Sequence, residues 1–407
     1  MASHGPASEP EPEKPPIRIM HVITRMVKGG AQENVLDMTV RLDPKRFESI
    51  LVTGPSEGPE GSLEQKAVER GADLRRIRWL VREISPVNDF RAVVSLIRLI
   101  RAEKPDIVYT HTSKAGIVGR IAARIARVKV IIHEPHGHIF TGYYGKFKSS
   151  IFVGLERWFG RYANRLVMLT ENERTDHLHY RIAPEDKFIT IHSGVDYVPM
   201  LNDNSELGAL RTPLCIGRDA KVIGTLGRLV EVKGQIYLID AMPAILSRVP
   251  NAHLVLIGSG PLQEELQCRA TGLGVSANVH FAGYRKDVTA CLKDIDLFVL
   301  PSLNEGMGRV LVEAMVMRLP VVASDVCGIK DLVHDGRNGR LVPAEDPKAI
   351  AEAVTEILID PDLARRMGDE GYSVVVPDYG VETMLDQIQR MYISELACVS
   401  MQLHTKA

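Results

Sequence analysis

The sequence predicts an α/β protein built from two Rossmann-like domains, each with a parallel sheet, that face each other across a central cleft. Short β-branched runs alternate with helical patterns along the first half of the chain, and the alternation resumes after a polar stretch at residues 202–210. Such alternation is typical of parallel sheets covered by helices. A single core rarely exceeds about 250–300 residues, so a chain of 407 residues is expected to form at least two domains.

The first domain is expected to span residues 17–198. It follows an acidic, proline-rich segment at residues 1–16 without an apolar core, which predicts a disordered tail and argues against a secretory signal. Helical patterns at residues 31–42 and 115–127 separate its strands. The strands are predicted at residues 17–23, 50–53, 107–110, 128–132 and 166–169.

The second domain is expected to span residues 215–380, after a linker at residues 199–214. A last helical pattern begins near residue 381, within a C-terminal helix and tail at residues 381–407, and it could pack on either domain. Ligands bind beyond the carboxyl ends of strands in open α/β sheets, so the loops after the strands are the predicted site. These strands are predicted at residues 222–226, 253–257, 279–282, 297–300 and 321–323.

Composition narrows the class of protein. Hydrophobic residues make up 45% of the chain and charged residues 25%, which is ordinary for a globular protein and excludes disordered and fibrous chains. No apolar run approaches the roughly 18 residues of a membrane span. The five cysteines are scattered without a C-x-x-C pair, which suits isolated thiols in a reducing compartment and offers no structural zinc site. We therefore expect a cytoplasmic protein.

The net charge of -1 hides a difference between the two halves of the chain. Residues 1–200 contain 30 basic and 24 acidic residues, and the remaining residues contain 20 and 27. In the basic half, Arg120, Arg124 and Arg127 share a helix face, and residues 146–165 mix aromatic with basic side chains. This pattern suits peripheral contact with the inner face of a membrane, but a solvated basic face over an apolar core stripe explains it equally well. Nucleic acid is not indicated.

A pair of cations follows the first strand of the second domain. The segment from Gly227 to Gly234 reads GRLVEVKG and places Arg228 and Lys233 between glycines. Arginine can bind phosphate oxygens bidentately and lysine supplies a mobile charge, so the pair suits a diphosphate. A solvated turn is the alternative interpretation.

A pair of carboxylates follows the strand at residues 297–300. Glu305 and Glu313 enclose EGMGRVLVE, in which the glycines precede a helix whose free amides favour an anion. Along a helix the two carboxylates would lie at most about 12 Å apart, comparable with the reach across a nucleotide diphosphate. Each can accept hydrogen bonds from a vicinal diol. Glu313 lies in an apolar segment and needs a partner, which could instead be a structural arginine or lysine.

In the first domain, Gly29 and Gly30 lie between the first strand and its helix. Backbone amides there can approach a phosphate or sugar closely, although a plain turn would use the same residues.

Three histidines follow the strand at residues 128–132, namely His133, His136 and His138. A metal site would explain them, but no carboxylate or cysteine set stands at matching spacing, and Pro135 interrupts any helix that could carry a histidine pair. We therefore predict no metal here.

Taken together, these motifs resemble the retaining, nucleotide-sugar-dependent glycosyltransferases of family 4, which have the GT-B fold. The resemblance spans about residues 17–375 and rests on GRLVEVKG, GSGPL, FAGYRKDV, LFVLPSLNEGMG and VEAMVMRLPVVASDV. The segments HTSKAGIVGR and PHGHIFTGYYG look like those of bacterial surface-polysaccharide glycosyltransferases, which implies a growing or lipid-linked glycan as acceptor.

The resemblance also implies roles for individual residues. Arg228 and Lys233 would hold the donor diphosphate and stabilise it as leaving group, and Glu305 would contact the donor sugar. His136 is the best match for the histidine beside the anomeric carbon, although His133 or His138 could be confused with it. Glu313 would bind the ribose hydroxyls. The other donor-binding positions would be Gly29, Gly30, Gly258, Gly260, Tyr284, Arg285, Gly306, Met307, Gly308 and Arg309.

The implied reaction is transfer of a sugar from a nucleoside diphosphate to an acceptor hydroxyl, with a UDP-sugar as the expected donor and GDP-mannose as an alternative. No metal or cofactor is implied, because the nucleotide sugar is a substrate. Cys327, where a second glycine is common, and Lys330, where proline is frequent, depart from the family pattern in a loop near the donor. The rival functions are a nucleotide-sugar epimerase, a sugar-phosphate synthase and a non-catalytic sugar-nucleotide-binding subunit.

Overall fold

Seven parallel strands form the first sheet of the computed structural model, which describes residues 15–56, 61–137 and 146–404. The strand order is β3-β2-β1-β4-β5-β6-β7. Residues 1–14 of the predicted tail lie outside the described part of the chain. The strands are β1 Ile17–Ile23, β2 Phe47–Thr53, β3 Asp73–Arg76, β4 Ile107–His111, β5 Val130–Glu134, β6 Arg165–Met168 and β7 Phe188–Thr190. The helices are α1 Gly30–Val40, α2 Glu64–Glu69, α3 Pro86–Glu103, α4 Ser113–Ala126, α5 Lys146–Gly160, α6 Glu171–His179 and α7 Val198–Leu201.

The second sheet has six parallel strands in the order β10-β9-β8-β11-β12-β13. Its strands are β8 Lys221–Leu226, β9 Ala252–Ile257, β10 Val279–Gly283, β11 Leu297–Leu300, β12 Val321–Ser324 and β13 Arg340–Val342. Its helices are α8 Gln235–Arg248, α9 Gln263–Gly272, α10 Val288–Lys293, α11 Arg309–Val316, α12 Pro347–Ile359 and α13 Pro361–Asp378, and α14 Val381–His404 follows. The predicted fold class, two Rossmann-like parallel-sheet domains, is confirmed.

The two faces of the first sheet carry different helices. Buried residues of α3, α4 and α5 pack on one face, and buried residues of α1 and α14 pack on the other. The final helix therefore crosses back from the second domain to the first, where Met384, Ile388 and Tyr392 join the core. The sequence had left open which domain this helix covers.

Parallel register decides which polar strand residues share a face. His21 on β1 aligns with Tyr109 on β4, and His111 at the end of β4 aligns with Glu134 at the end of β5. Side chains two residues apart on a strand point to the same face, so all four lie on the α14 side of the sheet.

Three edge strands, β3, β7 and β13, were absent from the sequence prediction because most of their residues are not buried, so no apolar run marks them. One charged residue was also misplaced. Arg120 is fully buried and pairs with Glu156 at 2.9 Å, so it does not belong to a solvated basic face with Arg124 and Arg127.

An acidic pair before β11 holds the linker between the domains. Asp294 accepts hydrogen bonds from the backbone N–H groups of Gly208 at 2.8 Å and Leu210 at 2.7 Å. Asp296 accepts from the guanidinium of Arg211 at 2.9 Å. No helix among the described residues has both the length and the apolar character needed to cross a membrane.

Candidate active site

The loops after β8 and β11 bring two predicted site residues into contact. The Lys233 Nζ atom lies 2.5 Å from Glu305 Oε1, and both side chains are largely buried. Arg228 is exposed at the start of the β8 loop, where its carbonyl accepts a hydrogen bond from Gln235 Nε2 at 3.0 Å. Arg228 and Lys233 thus lie on one loop, and Lys233 forms an ion pair with Glu305 from a second loop.

Glycines allow the loops after β8 and β9 to touch through their backbones. Gly258 has a φ of 140°, and a Cβ atom there would lie 2.0 Å from the carbonyl oxygen of Gly227. A Cβ atom at Gly260 would lie 2.3 Å from the carbonyl oxygen of Leu229. Only glycine fits at these positions, so both predicted donor-binding glycines shape the loop that carries Arg228.

The loop after β11 ends in Gly308, which has a φ of 78° and precedes α11. Because α11 begins only at Arg309, Glu305 lies in the loop, and the predicted spacing of the two carboxylates along one helix was wrong. The side chain of Met307 is buried in the core at 2% exposure, so only its backbone can face the cleft. Gly306 lies beside the first domain, as described below.

Glu313 lies in the second turn of α11, and burial raises the pKa of its carboxyl group, while the positive charge of Arg309 opposes that rise. None of the ion pairs or side-chain hydrogen bonds between described residues includes this carboxylate. The structural arginine or lysine partner considered as the alternative is therefore not in contact with it, and its oxygens can accept hydrogen bonds from a ligand.

Tyr284 and Arg285 follow β10, and their side chains make different contacts. The ring of Tyr284 is 58% exposed, and the Lys28 Nζ atom of the first domain lies 4.7 Å from its centroid. Arg285 pairs with Asp287 and donates to the carbonyl oxygen of Ala209 at 3.2 Å. The guanidinium of Arg285 is therefore engaged with its own loop and the linker rather than pointing at an open site.

Arg309 joins the two sides of the cleft. Its Nη1 atom donates to Ser193 Oγ at 3.0 Å, and its Cδ atom lies 2.8 Å from the position of a Cβ at Gly30. A Cβ at Gly29 would instead meet the side chain of Gln32, within α1. The backbone of Gly30 thus lies against the start of α11.

Of the three candidate histidines, the structure places His136 in the cleft. Its carbonyl oxygen lies 3.3 Å from the position of a Cβ at Gly306 of the second domain, and its backbone adopts a φ of 58°. His133 points to the other face of the sheet, where its ring lies against Gly116 of α4. His138 lies outside the described residues.

Beneath His136 runs a chain of hydrogen bonds that the sequence did not reveal. His136 Nδ1 lies 3.2 Å from Glu134 Oε1, and His136 Nε2 lies 3.1 Å from His111 Nδ1. His111 Nε2 in turn lies 3.1 Å from His21 Nδ1. The hydroxyl group of Tyr109 donates to Glu134 Oε2 at 2.6 Å. All of these groups except the loop residue His136 are fixed by the register of β1, β4 and β5.

The proton on Glu134 sets the direction of this chain. When Glu134 is ionised, it accepts from His136 Nδ1–H, so His136 Nε2 accepts from His111, which accepts from His21. Burial lowers the pKa of His21 and His136 to about 3, which keeps both rings neutral. Burial also raises the pKa of Glu134 to about 8, although the hydrogen bond from Tyr109 lowers that pKa. A protonated Glu134 can donate to His136 Nδ1. His136 then donates to His111, and His111 donates to His21, so each of these hydrogen bonds changes direction.

The same side chains bear on the question of a metal. His111, Glu134 and His136 each offer an atom within 4.8 Å of the others, and imidazole with carboxylate is a ligand set that zinc accepts. Glu134 thus supplies a carboxylate beside the histidines that the argument from sequence spacing did not count. Their ring nitrogens and carboxylate oxygens are engaged with one another, and the absence of a metal requirement stays a prediction.

Two family profiles match most of the chain. A profile described as "Glycosyltransferase Family 4" matches residues 28–197, and a profile described as "Glycosyl transferases group 1" matches residues 210–374. Between them, the two profiles cover both sides of the cleft. The chain is a family 4 glycosyltransferase.

Curated relatives of this glycosyltransferase align over most of its length. It is 29% identical over 384 residues to UDP-Gal:alpha-D-GlcNAc-diphosphoundecaprenol alpha-1,3-galactosyltransferase of Escherichia coli, covering 93% of this chain and 97% of the relative. It is 28% identical over 325 residues to the capsular polysaccharide biosynthesis glycosyltransferase CapM of Staphylococcus aureus, covering 79% and 85%.

Solved structures support the fold of the glycosyltransferase. HepE of Anabaena in complex with UDP-glucose superposes with a TM-score of 0.78 at 23% identity, over 93% of this chain and 100% of that chain. The sucrose-phosphate synthase of Thermosynechococcus elongatus superposes with a TM-score of 0.77 at 19% identity, over 94% and 100%. The predicted GT-B arrangement is confirmed.

Proposed function

We propose that this glycosyltransferase moves a sugar from a UDP-sugar to a hydroxyl group of a growing or lipid-linked glycan, on the cytoplasmic side of a membrane and with retention at the anomeric carbon. The observation that carries the proposal is the contact between Lys233 and Glu305, which joins the cation loop after β8 to the glycine loop after β11. Across the cleft from this pair lie Gly30 and His136.

Stabilising the leaving diphosphate is the main task of the second domain. Arg228 and Lys233 supply two positive charges, and the amide groups around Gly308 at the start of α11 add a partial one. Such a preorganised field acts on charge that develops as the bond to the sugar breaks. On binding a diphosphate, Lys233 exchanges one oxygen ligand, the carboxylate of Glu305, for another.

The release of Glu305 gives that residue its role. Once Lys233 turns to the phosphate, the Glu305 carboxylate is free to accept hydrogen bonds from hydroxyl groups of the donor sugar. Glu313, whose carboxylate forms no ion pair with another described residue, accepts from the ribose diol. The exposed ring of Tyr284 and the glycine loop at Gly258 and Gly260 border the nucleotide base.

The first domain serves the sugar and the acceptor. His136 lies at the cleft beside Gly306, and the buried Glu134 fixes which of its nitrogens carries a proton. Glu134 thus acts through His136 and is a positioning residue. With Glu134 ionised, the Glu134–His136 pair places negative charge near the ring of the donor sugar. That sugar ring becomes cationic as the glycosidic bond breaks.

Known relatives support the choice of substrates. The Escherichia coli relative uses UDP-galactose and a diphosphoundecaprenol-linked acceptor according to its name, and HepE of Anabaena binds UDP-glucose. A relative in Corynebacterium glutamicum, 27% identical over 381 residues, depends on GDP-mannose, which keeps GDP-mannose as the alternative donor.

A donor panel tests the proposal. A ligand at 100 times its dissociation constant stabilises a protein by about 2.7 kcal/mol, so we expect UDP-sugars to raise the melting temperature above that seen with GDP- or ADP-sugars. Transfer with retention is read from the anomeric configuration of the product by nuclear magnetic resonance. An epimerised donor that appears without any acceptor would contradict the proposal in favour of an epimerase.

The absence of a metal requirement has its own test. We expect turnover after exhaustive dialysis against a chelator to equal turnover in the presence of added Zn²⁺ or Mg²⁺. Activity that is lost on dialysis and restored by one metal would instead assign His111, Glu134 and His136 to that ion.

A further inference from the structure

The turn that carries His136 has a backbone that needs support. His136 has a φ of 58° and Gly137 a φ of 97°, so two consecutive residues lie in the left-handed region. A residue other than glycine is strained there and keeps this conformation only where its surroundings fix it. The groups that hold the turn therefore decide where the His136 ring lies.

Glu173, in the first turn of α6, supports this turn. Its Oε1 atom accepts a hydrogen bond from the backbone N–H group of Gly137 at 3.1 Å, and its Oε2 atom accepts from the N–H group of Leu169 at 2.8 Å. The residue is only 1% exposed. One buried carboxylate thus ties the residue after His136 to the chain just after β6.

The start of α6 shows how Glu173 departs from an ordinary helix cap. The Thr170 hydroxyl oxygen accepts a hydrogen bond from the Glu173 N–H group at 3.1 Å, which is one half of a capping box. In the complete motif, the glutamate returns a hydrogen bond to the N–H group of the capping residue. Here Glu173 accepts from the residue before Thr170 and from Gly137, so one of its oxygens serves the His136 turn.

A short segment after β12 holds the same helix from the second domain. The Asp331 carboxylate accepts hydrogen bonds from the Glu171 N–H group and from the side-chain amide of Asn172, at the start of α6. Cys327 Sγ lies 3.2 Å from Asp176 Oδ2. The second domain therefore contacts α6 at both its first and its second turn.

That segment, residues 327–331, also supports the donor loop. The Gly328 N–H group donates to the carbonyl oxygen of Glu305 at 3.2 Å. A Cβ atom at Gly328 would lie 2.0 Å from the carbonyl oxygen of Gly306, so the two backbones are in direct contact. The position of α6 is thereby tied to the loop that carries Glu305.

We propose that Glu173 is a positioning residue that holds the His136 turn in the conformation needed for transfer, and that Asp331 makes this hold depend on contact between the domains. This role rests on the proposed function, because it serves the same reaction. When the domains separate, the start of α6 loses the Asp331 carboxylate, and Glu173 is less firmly fixed. The His136 ring is then placed for reaction only while the two domains are in contact.

Glu173 also acts on Glu134 through its charge. Burial raises the pKa of Glu134 to about 8, and the negative charge of Glu173 adds to that rise. Loss of the Glu173 charge should therefore move the ionisation of Glu134 to lower pH. Among the described residues, the other titratable groups that face Glu134 are Tyr109, His111, His136 and Tyr392.

Kinetics and binding of matched variants of the full chain test the role of Glu173. Glu173→Gln keeps the size of the side chain but turns an N–H group toward one of the two backbone N–H groups. We expect kcat to fall about ten-fold, the scale of one hydrogen bond to a charged group, and its rise with pH to move to lower pH. UDP affinity, measured by calorimetric titration, should be unchanged. Glu171→Gln, in the same turn of α6 with its side chain 59% exposed, is the control and should match the wild type.

Asp331→Ala tests the dependence on the second domain. It should lower kcat by about five-fold through the loss of its hydrogen bonds to α6. Asp325→Ala is the control, because the Asp325 carboxylate pairs with Lys330 in the same loop, and it should match the wild type. The double variant Glu173→Gln/Asp331→Ala should be no slower than Glu173→Gln alone, since both changes release the same turn.

Each part of the inference has a result that overturns it. A wild-type kcat or an unmoved pH profile in Glu173→Gln would remove the role of Glu173. A double variant whose loss is the product of the two single losses would remove the dependence on Asp331. If Glu173→Gln shows no thermal unfolding transition, Asp331→Ala decides, and a wild-type kcat there overturns the inference. Absence of UDP binding by the wild type contradicts the proposed donor, whereas UDP binding with unchanged kcat in Glu173→Gln contradicts this inference alone.

Discussion

The second domain lines the cleft with backbone and charged side chains from consecutive loop residues, whereas the first domain lines it with side chains from three separate strands. Lys233 and Glu305 form an ion pair, and each belongs to a short motif that can be recognised in the sequence. His136, Glu134 and Tyr109 form one site only because β4 and β5 pair in register. The charges that stabilise the leaving group therefore come from short segments of sequence. The residues that control the proton on His136 come together only through the pairing of separate strands.

The largest expected effect falls on the second domain. Lys233→Ala should lower turnover by about 100 to 1,000-fold, the scale for loss of one preorganised charge contact in the transition state. Steady-state transfer assays with the preferred UDP-sugar measure it. Lys348→Ala, which removes an exposed lysine from α12, is the control and should match the wild type. Near-normal transfer by Lys233→Ala would remove the leaving-group role.

The buried chain of the first domain should show a smaller effect with a distinct pH dependence. Glu134→Gln keeps the shape of the side chain. When its amide oxygen accepts from the hydroxyl group of Tyr109, its nitrogen donates to His136 Nδ1, which imitates a protonated Glu134. We expect kcat to fall about 10 to 100-fold, the scale of one hydrogen bond to a charged group, with little change in KM for the donor.

The pH profile distinguishes this role from a structural one. The pKa of Glu134 is raised to about 8, so wild-type kcat should rise with pH through that value as the carboxylate ionises. The Glu134→Gln variant should lack this rise, and Tyr109→Phe should move it to higher pH because a hydrogen bond that favours the ionised form is lost. Parallel profiles in all three proteins would mean that Glu134 does not control His136.

Two glycines test the comparison through the backbone. Gly258→Ala should destabilise the protein by about 1–3 kcal/mol, the cost of a strained backbone, because its Cβ would meet the carbonyl oxygen of Gly227 at 2.0 Å. Gly30→Ala meets only the flexible side chain of Arg309, so its melting temperature should stay close to that of the wild type. Thermal unfolding of both variants measures the difference, and equal losses would contradict it.

The smallest expected effect concerns the contact across the cleft between Lys28 and Tyr284. An exposed cation–π contact contributes about 0.5–1 kcal/mol, so Lys28→Ala should change KM for the donor by only about two- to five-fold. Lys28→Arg should retain the wild-type value. A change in kcat as large as that of Lys233→Ala would mean that Lys28 contacts the reacting groups.

Local signals explain what the sequence could predict. The buried strands, the loops rich in glycine and the pair of cations after β8 follow from neighbouring residues, so the fold class and much of the donor side were predictable. The placement of α14 on the first domain was not, because its apolar face fits either sheet until the chain's return path is known. The edge strands β3, β7 and β13 are mostly not buried, so no apolar run marks them in the sequence.

Two sequence predictions failed because the contacts involved follow no regular helix or strand spacing. Arg120 resembled a surface arginine because its partner, Glu156, lies 36 residues away on another helix. Glu134 was overlooked as a companion of His136 because a spacing of two residues suits no regular helix pair, yet the turn at His136 folds the ring back onto the strand end. Polar residues at the ends of adjacent buried strands were the available signal.

Calorimetric titration of UDP into the wild-type protein, Lys233→Ala and Glu134→Gln tests most directly whether the second domain holds the diphosphate while the first controls chemistry. We expect UDP to bind the wild type and Glu134→Gln with equal affinity and to bind Lys233→Ala at least about ten-fold more weakly, as expected for loss of a charged hydrogen bond. Equal affinity for all three proteins, or no binding of UDP to the wild type, would contradict this division of roles.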